Sequence, residues 1–429
     1  MVKHIRLVLR IFLITTITLS ATCQLTPTPA QVKRIPTNTN IVLIMTDDQD
    51  TDSLPVMRHL MSYPEGSWVN FTNAYANHSI CCPARATVLT GQYAHTTGVT
   101  GNNKGANLDD TNTLPVWLDK AGYRTGLIGK YLNGYPWDRG EAYVPPGWDY
   151  FKTDGLGGLD GFTREALEFI NTAEGPFFLY LAYRAPHSPA KPLPRYENAN
   201  VYIPDDRPNF NEEDISDKPA WIRELPPLPQ STLDEWHAER IASQRALLGV
   251  DDGIQQIIEA LKSKGQLENT MIIFMSDHGF SWGSHRYILK ECVYEECSRF
   301  PLLIRYPGLT ENREESRLVS NVDLADTIAD YAGITPEIPQ DGKSFIPLLT
   351  NTATDWHEEV LLERAGQGQF GFYGIRVPGW KYVEYGSGDV ELYDLTSDPY
   401  ELQNLAGQPD YRARQAELAQ RLHTVVGDP

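Results

Sequence analysis

The chain alternates between short apolar runs and longer stretches with helical spacing. Strands are predicted at residues 41–45, 123–128, 177–183, 271–275 and 302–306. A continuous apolar run of this length is typical of a strand covered on both faces, as in a parallel sheet. Helices are predicted at residues 81–91, 114–121, 233–261 and 322–328. This order predicts an α/β fold with a large mixed, mostly parallel sheet flanked by helices.

The pattern changes from Trp356 onward, where short stretches rich in aromatic and β-branched residues replace the longer runs. Residues 373–377 and 380–385 predict strands, and residues 411–426 predict a final helix. We therefore expect a smaller C-terminal antiparallel sheet plus helix. The predicted domains are a main domain at residues 39–350 and a C-terminal subdomain at residues 351–429.

Charged residues on the long helix at 233–261 are expected to face solvent. They are Arg245, Asp251 and Asp252, and they interrupt the apolar positions of that stretch. A charged position between core positions of an amphipathic helix usually lies on the outer face.

The first 38 residues carry targeting signals. Lys3, Arg6 and Arg10 precede the apolar run 11–19, which is too short to span a bilayer and predicts a signal peptide at residues 1–22. Cys23 then begins a Thr/Pro-rich tether at residues 23–38. A lipid anchor at Cys23 and simple secretion both remain open, so the predicted location is secreted, periplasmic or lipid-anchored at the cell surface.

The composition is acidic, with a formal net charge of −19. Duplex binding depends on basic surface, so nucleic acid is not an expected partner. An anionic substrate would have to be attracted by a local group of cations. Among the five cysteines, Cys292 and Cys297 are the expected disulfide in an oxidising compartment, with two free core thiols as the alternative. The sequence carries no signal for the oligomeric state.

The densest chemical signal is the stretch from Cys81 to Gly91. Two adjacent cysteines precede Pro83, and Arg85 follows at the distance of one helical turn. Proline suits the first turn of a helix and glycine suits its end, so Cys81 should lie at a helix N-terminus. Such an end favours a bound anion, and Arg85 adds donors that match an oxyanion. Cys81 is therefore a candidate nucleophile.

Further charged residues follow the predicted strands. Asp47 and Asp48 come directly after the first strand, where open α/β sheets bind ligands. Adjacent strand residues point to opposite faces, so both can reach one ion only if the chain turns there. Oxygen ligands of this kind suit calcium or magnesium. Other strand ends and loops supply Lys130, His187, Asp277, His278 and Lys290.

These motifs resemble the sulfatase family, whose signature is Cys-x-Pro-Ser/Ala-Arg followed by Leu-Thr-Gly. Cys81 to Arg85 and Leu89 to Gly91 match it, and six motifs match in order between about residues 40 and 405. The resemblance implies that a formylglycine-generating enzyme oxidises Cys81 to formylglycine. It also implies one calcium ion, with the ligands Asp47, Asp48, Cys81, Asp277 and His278, and the catalytic residues Cys81, Arg85, Lys130, His187 and Lys290.

Two positions depart from the commonest family pattern. Leu132 stands where many members have histidine, within a Gly-Lys-Tyr-Leu-Asn segment that resembles the N-acetylglucosamine-6-sulfatase-like and arylsulfatase-like members. His278 stands where many members have asparagine, and imidazole is a less typical calcium ligand.

The resemblance implies hydrolysis of a sulfate ester on a small molecule or glycan, with a carbohydrate favoured. The expected substrate contacts are Lys130, His187, Trp282, His285 and Lys290. One alternative is a phosphodiester or phosphonate monoester hydrolase of the same superfamily. A second is a secreted binding protein in which Cys81 is never modified.

Overall fold

The computed structural model describes residues 39–62, 68–140, 142–153, 155–203, 207–309, 311–356, 358–365 and 368–427. All of them lie within one compact unit, Ile35–Pro429. The signal peptide at 1–22, Cys23 and the tether at 23–38 lie outside the described residues. Within the described residues, no helix is both long enough and apolar enough to cross a membrane.

Sixteen strands are present in the described residues. They are β1 (Asn40–Asp47), β2 (Trp68–Phe71), β3 (Ala74–Tyr75), β4 (Arg124–Gly129), β5 (Tyr150–Lys152), β6 (Phe177–Pro186), β7 (Thr270–Ser276), β8 (Ser281–Trp282), β9 (Ile288–Leu289), β10 (Leu302–Arg305), β11 (Arg313–Glu315), β12 (Val319–Ser320), β13 (Val360–Arg364), β14 (Phe372–Val377), β15 (Trp380–Tyr385) and β16 (Val390–Asp394).

The same residues form eleven α-helices. They are α1 (Arg58–Ser62), α2 (Cys81–Thr90), α3 (Ala94–Thr97), α4 (Leu114–Lys120), α5 (Leu159–Thr172), α6 (Ala220–Arg223), α7 (Gln230–Ser263), α8 (Glu295–Ser298), α9 (Asp323–Ala332), α10 (Ile346–Leu349) and α11 (Arg412–Val426).

The large sheet has eight strands in the order β11-β2-β10-β7-β1-β6-β4-β5. Strands β7, β1, β6, β4 and β5 run parallel, whereas β10 is antiparallel to both β7 and β2. Met45 pairs with both Met275 and Ala182, so the carboxyl ends of the three central strands lie level at one edge. The five strands predicted from the sequence are confirmed and include the centre of this sheet.

Two apolar cores cover the faces of the sheet. Ile41, Leu43 and Met45 of β1 belong to a core with residues of α2, α4 and α9, while Val42 and Ile44 belong to a core with residues of α5 and α7. Alternate residues of β1 therefore enter different cores, and all five are fully buried. This two-sided burial is the reason for the continuous apolar run.

The C-terminal part contains a separate four-stranded antiparallel sheet in the order β13-β14-β15-β16. Leu418 and Leu422 of α11 are buried against apolar residues of this sheet. The predicted fold class is confirmed: a large, mostly parallel sheet flanked by helices, and a smaller C-terminal antiparallel sheet plus helix. The domain boundary between residues 350 and 351 stays a prediction.

One expectation about the charged face of α7 is wrong. Asp251 is almost fully buried, and its carboxylate accepts hydrogen bonds from the backbone N–H groups of His59 and Leu60, each at 2.8 Å. These two groups lie at the start of α1, where backbone N–H groups have no partner inside the helix. Asp251 therefore caps the N-terminus of α1 and does not face solvent.

Candidate active site

The carboxyl ends of four parallel strands carry the charged residues of the site. Asp47 is the last residue of β1, and Lys130, His187 and Asp277 directly follow β4, β6 and β7. Asp48 has a φ of 66°, so the chain turns sharply after β1. The backbone N–H of Asp48 then donates to Asp277 Oδ1 at 3.1 Å. The turn allows two adjacent carboxylates to face the same centre, as the sequence required.

Helix α2 places Cys81 in the middle of this group. The helix begins at Cys81 and ends at Gly91, which has a φ of 67° and the left-handed conformation that terminates a helix. Cys81 Sγ lies 3.5 Å from Asp47 Oδ1 and 3.1 Å from Lys290 Nζ. Burial and the carboxylates favour the neutral thiol, but cations such as Lys130 leave the pKa of Cys81 below its usual value.

Arg85 joins the helix to two strand ends. Its Nε donates to Asp277 Oδ2 at 3.0 Å, its Nη1 donates to the Lys130 carbonyl at 3.0 Å, and its Nη2 lies 3.7 Å from Asp47. The side chain is 1% exposed, and Nη2 also lies 2.9 Å from Asp277 Oδ2, so both carboxylates contact the guanidinium. Burial opposes the charge, but the carboxylates of Asp277 and Asp47 raise the pKa of Arg85 further, so it is a fixed cation.

Two lysines pair with the two adjacent carboxylates. Lys130 Nζ lies 2.6 Å from Asp47 Oδ2, and Lys290 Nζ lies 2.7 Å and 2.9 Å from the two oxygens of Asp48. Gly129 allows this approach, since it has a φ of 110° and a Cβ there would lie 1.9 Å from the Ala182 carbonyl oxygen. Burial lowers the pKa of Lys130, but the charges of Asp47, Cys81 and Asp277 together raise it above its usual value.

His187 completes the group. Its Nδ1 lies 2.6 Å from the carbonyl oxygen of Ser188, which only accepts, so Nδ1 carries a proton. Its Nε2 faces Lys290 Nζ at 3.2 Å and Asp48 at 3.6 Å. A contact with Cys81 raises the pKa of His187, burial opposes this, and the charges of Asp48 and Asp47 raise it further.

Asp47, Asp48, Asp277 and His278 form a donor set that fits a hard divalent cation. His278 Nδ1 lies 2.8 Å from the Gly279 carbonyl, so Nδ1 carries the proton and the lone pair of the neutral ring is on Nε2. That Nε2 is fully buried, has no hydrogen-bond partner among the described residues, and lies 3.3 Å from Asp48 Oδ1 and 3.7 Å from Asp277 Oδ1.

An imidazole lone pair and carboxylate oxygens are all acceptors, so a positive species is needed between them. Without a metal, a proton would serve: burial lowers the pKa of His278, but the charge of Asp277 and its neighbours raises it to about 9. Carboxylate oxygens are typical calcium ligands, and one imidazole is a less common addition. Cys81 Sγ belongs to two groups of possible ligand atoms, one with Asp47, Asp48 and His187 and one with Asp277 and His278.

Comparison with known proteins identifies the family. The sulfatase family model matches residues 39–334, and the model for the C-terminal region of N-sulphoglucosamine sulphohydrolase matches residues 283–427. The chain belongs to the sulfatase family. The resemblance to sulfatases that the sequence motifs show is confirmed. The assignment to a family of sulfuric ester hydrolases is confirmed with it.

A curated relative agrees with this sulfatase assignment, and two solved structures share the fold. The chain is 30% identical over 456 residues to N-acetylglucosamine-6-sulfatase of Capra hircus, covering 86% of this chain and 80% of the relative. A structure solved with its substrate D-glucosamine-2-N,6-O-disulfate has a TM-score of 0.78 and 24% identity, covering 91% of this chain and 99% of that one. The phosphonate monoester hydrolase of Agrobacterium radiobacter has a TM-score of 0.75 and 22% identity, covering 90% and 95%.

Two residues expected at the sulfatase substrate lie apart from the Cys81 group. Trp282 Nε1 donates to Asp50 at 2.6 Å, and its ring lines a separate cavity with Trp236 and Arg240. His285 is fully buried, and its ring nitrogens lie 2.5 Å from Glu212 and 3.2 Å from Asn209 Nδ2. This placement gives His285 a structural role and leaves the expectation of substrate binding without support.

Leu132, the departure from the commonest sulfatase pattern, is buried in the apolar core beside α2 and α4. Leu132 therefore contributes to core packing, and the segment after β4 supplies no imidazole to the site. Of the residues near Cys81, His187 is the histidine that faces Lys290 and remains partly accessible, with 38% of its side chain exposed.

The residues around the entrance of the site were not predicted from the sequence. A cavity of about 520 Å³ opens onto Asp47, Lys130 and His187. Its remaining lining comes from Asn133, Gly158, Leu159, Phe162, Arg184, Ala185, Ser188, Pro189 and Lys191. The available signals were Asn133 in the Gly-Lys-Tyr-Leu-Asn segment and Arg184 three residues before His187, whereas Phe162 lies on α5, a helix that was not predicted.

Proposed function

We propose that the protein hydrolyses a sulfate ester of a carbohydrate, with formylglycine formed from Cys81 as nucleophile and with one calcium ion. The observation that supports this most strongly is the environment of Cys81. Its sulfur lies at the start of a helix, 3.1 Å from Lys290 Nζ and 3.5 Å from Asp47 Oδ1, within the same ligand group as Asp277 and His278. A nucleophile, cations for an anionic substrate and a metal donor set are thus combined.

The position of Cys81 Sγ stands in for the side-chain oxygens of the modified residue. Oxidation to formylglycine would supply an aldehyde hydrate, whose hydroxyl can attack the sulfur atom of a sulfate ester. The lysines around Sγ are suited to hold such a hydroxyl as hydrogen-bond donors, and the buried carboxylates are suited to accept its proton. A formylglycine-generating enzyme is the partner that this proposal requires during maturation.

The proposed calcium ligands are Asp47, Asp48, Asp277, His278 and residue 81. Calcium bound there would neutralise sulfate charge and polarise the S–O bonds. The remaining cations belong to the chain itself: Arg85, Lys130 and Lys290 are held in place by their carboxylate partners and stabilise negative charge that develops on the transferred group.

His187 is proposed to protonate the leaving alcohol. Its Nδ1–H is directed to the Ser188 carbonyl, so Nε2 is the nitrogen that faces the site and can exchange a proton. The raised pKa of His187 favours the protonated ring that a general acid needs. Lys290, 3.2 Å away, is a neighbouring cation that assists this step electrostatically.

A carbohydrate substrate is proposed because of the relatives and the size of the cavity. A relative from Capra hircus carries the name N-acetylglucosamine-6-sulfatase. A cavity of about 520 Å³ beside His187 has room for a sugar in addition to the sulfate. Export from the cytoplasm, with or without a lipid at Cys23, remains part of the proposal.

The test is turnover of an aryl sulfate by the wild-type protein and by Cys81→Ala, with Cys82→Ala as the matched control. Cys82 is the adjacent buried thiol, and its burial raises its pKa to about 11, so it is an inert neighbour. We expect Cys81→Ala to abolish turnover with an unchanged circular dichroism spectrum, and Cys82→Ala to remain active. Full activity of Cys81→Ala would exclude the proposed nucleophile.

The same assay tests the alternative that the substrate is a phosphodiester or a phosphonate monoester. This alternative is tested because the fold is similar to that of a phosphonate monoester hydrolase. An aryl phosphate diester and an aryl phosphonate monoester are compared with the aryl sulfate at equal concentration. A higher kcat/KM for either phosphorus ester would overturn the proposed sulfate ester hydrolysis and assign hydrolysis of a phosphorus ester instead. Absence of turnover for all three esters, together with an unmodified Cys81 in protein from the native host, would favour the binding-protein alternative.

A further inference from the structure

A second cavity, of about 220 Å³, lies between the start of α7 and the paired strands β8 and β9. The first part of α7 is unusual, because residues 230–242 include no buried residue and the core contacts of the helix begin at Ser243. A helix is normally stabilised by burying one face, so this part forms a wall without contributing to the core. Trp236 lies on it, half-buried, and lines the cavity.

Three aromatic rings pack together at this cavity. Trp236 contacts Trp282 edge to face, with ring centroids 6.1 Å apart, and the Phe280 ring lies 4.7 Å from that of Trp282. Trp282 is held in place because its Nε1–H donates to Asp50 at 2.6 Å, and the guanidinium of Arg240 lies over its ring. Trp236 is therefore the ring whose surface a ligand in the cavity can reach.

The rest of the cavity lining combines apolar and polar side chains. Phe210 and Leu233 are apolar, whereas Gln230, Asp234 and His237 are exposed polar residues of α7. A pyranose ring has apolar C–H faces and a rim of hydroxyl groups. It is therefore bound best by an aromatic surface together with side chains that donate and accept hydrogen bonds. The cavity offers both, and its volume suits one sugar ring.

Two walls of the cavity belong to segments that carry the proposed catalytic group. Strand β9 lines the cavity through Ile288 and leads directly to Lys290. Asp50, which binds the indole N–H of Trp282, follows Asp48 by two residues. The cavity therefore lies close to the side of the site that Asp48 and Lys290 form.

Helix α7, the third wall, contacts the loop of the proposed acid. Glu239 accepts a hydrogen bond from the backbone N–H of Ala190 at 2.7 Å, and Ser243 Oγ donates to the Pro186 carbonyl at 3.3 Å. Pro186 and Ala190 lie on either side of His187 in the chain. A ligand that extends from the proposed site along α7 would therefore reach this cavity.

We propose that this cavity binds a neutral sugar residue that is linked to the sulfated sugar, and that the neutral sugar stacks on Trp236. This inference rests on the proposed function, because the sulfate ester must lie at Cys81. A neutral ring is favoured because the charged lining residues Asp234 and Arg240 have opposite signs. Asp234 and His237 would bind its hydroxyl groups. The substrate is then an oligosaccharide, and Trp236 determines the preference for its length without taking part in bond breaking.

The experiment compares one sulfated monosaccharide with two disaccharides. The monosaccharide is N-acetylglucosamine 6-sulfate, and each disaccharide carries an additional unsulfated N-acetylglucosamine, attached at position 1 or at position 4 of the sulfated sugar. Each compound is used as an inhibitor of aryl sulfate hydrolysis, so the result does not depend on which ester is cleaved. The measured quantity is the inhibition constant of the monosaccharide divided by that of each disaccharide, in the wild-type protein and in Trp236→Ala.

We expect one of the two disaccharides to bind the wild-type protein about tenfold more tightly than the monosaccharide, the effect of one well-packed aromatic contact. The ratio should fall towards one in Trp236→Ala, whose fold is verified by circular dichroism, and Trp236→Phe should restore part of it. The matched control is Trp380→Ala, which removes a half-buried tryptophan of β15 that packs on Tyr411, and it should keep the wild-type ratio. Equal binding of all three sugars by the wild-type protein, or an unchanged ratio in Trp236→Ala, would overturn the inference.

An apolar alcohol is the competing occupant of the cavity, because its lining includes several apolar side chains. Octyl sulfate and ethyl sulfate are compared as inhibitors in the same assay. Tighter binding of octyl sulfate that is lost in Trp236→Ala, with no gain from either disaccharide, would overturn the sugar assignment and assign an apolar group to the cavity.

Failure of the proposed function would be visible separately, as absence of aryl sulfate turnover in protein with modified Cys81. In that case calorimetry measures direct binding of the same three sugars to the Cys81→Ala protein, with and without Trp236→Ala. The ratio of the dissociation constants then supports or overturns the inference independently of turnover.

Discussion

Lys290 connects three groups of the site. Its Nζ lies within 3.2 Å of Asp48, Cys81 Sγ and His187 Nε2. A single cation thus contacts a proposed metal ligand, the proposed nucleophile and the proposed acid. Its charge is fixed, because Asp48 and Cys81 raise its pKa against the opposing effect of burial.

Replacing Lys290 with glutamine is expected to lower kcat for an aryl sulfate by about 10²-fold, the usual loss when one charged stabilising group is removed. Circular dichroism establishes that the variant is folded, because Lys290 is mostly buried and pairs with the buried Asp48. Lys120→Gln serves as the control for a lysine removed from the surface. A Lys290→Gln protein with wild-type kcat would show that this cation does not act on the transition state.

The donor set around His278 predicts stabilisation by calcium. Three carboxylates and an imidazole converge there, and a ligand that binds only the folded state raises its stability by about 2.7 kcal/mol at a concentration of 100 times its Kd. Calcium added to metal-depleted protein should therefore raise the Tm. Asp48→Asn removes one ligand and should reduce this shift, and equal shifts in both proteins would argue against the assigned ligands.

Individual site residues were predictable from the sequence where a motif fixed their position. Asp47, Asp48, Lys130, His187, Asp277 and Lys290 follow strands or lie in motif loops, and the structure brings them together around Cys81. The buried position of His285 was not predictable, because its loop position does not show that Glu212 and Asn209 bind its ring in the interior. Those partners lie 73 and 76 residues away in the chain.

At the scale of elements, the segment that carries Lys290 is fixed by a disulfide. Cys292 and Cys297 are joined, as the sequence predicted for an oxidising compartment. The same segment is bound to the approach to α2: Ser79 Oγ donates to the Cys292 carbonyl, and the Glu291 N–H donates to the Ser79 carbonyl, both at 2.8 Å. The disulfide therefore restrains a loop that positions Lys290 against Cys81.

Replacing both Cys292 and Cys297 with alanine is expected to lower the free energy of unfolding by about 2 kcal/mol, from the loop-closure entropy of so short a loop. The KM for an aryl sulfate should rise as well, because Lys290 is less well held. Chemical unfolding and steady-state kinetics measure the two effects. Unchanged stability together with unchanged KM would show that the disulfide does not organise this loop.

Strands and helices differed in how well the sequence predicted them. The central strands were found because both faces are buried, which leaves a continuous apolar run. The edge strand β5 was missed, since its three residues are half-buried or exposed and carry no such pattern. Asp251 on α7 was expected in solvent because helical periodicity does not show that α1 lies against it.

At the scale of the whole molecule, the C-terminal sheet is connected to the catalytic half by a buried ion network. Lys381 of β15 is fully buried, and its Nζ lies 2.9 Å from Glu295 and 2.7 Å from Glu401. It also donates to the Val293 carbonyl at 3.0 Å. Val293 and Glu295 lie in the segment that begins at Lys290, so the C-terminal sheet supports the loop that carries the site.

Lys381→Met is expected to destabilise the whole protein by about 3 kcal/mol, because it leaves the buried carboxylate of Glu401 without its cation and removes one of the cations beside Glu295. We also expect loss of activity and loss of far-UV circular dichroism to coincide in a single transition, in both proteins. Two separate transitions, with activity retained after the C-terminal sheet unfolds, would contradict this coupling. They would instead favour independent domains at 39–350 and 351–429.

The central claim concerns the chemical state of residue 81, and the most direct measurement is the mass of the tryptic peptide 59–85 after alkylation of free thiols. In active protein from the native host, we expect one alkylated cysteine, Cys82, and an aldehyde in place of the thiol at position 81. An active protein whose residues 81 and 82 both carry alkylated thiols would contradict the account.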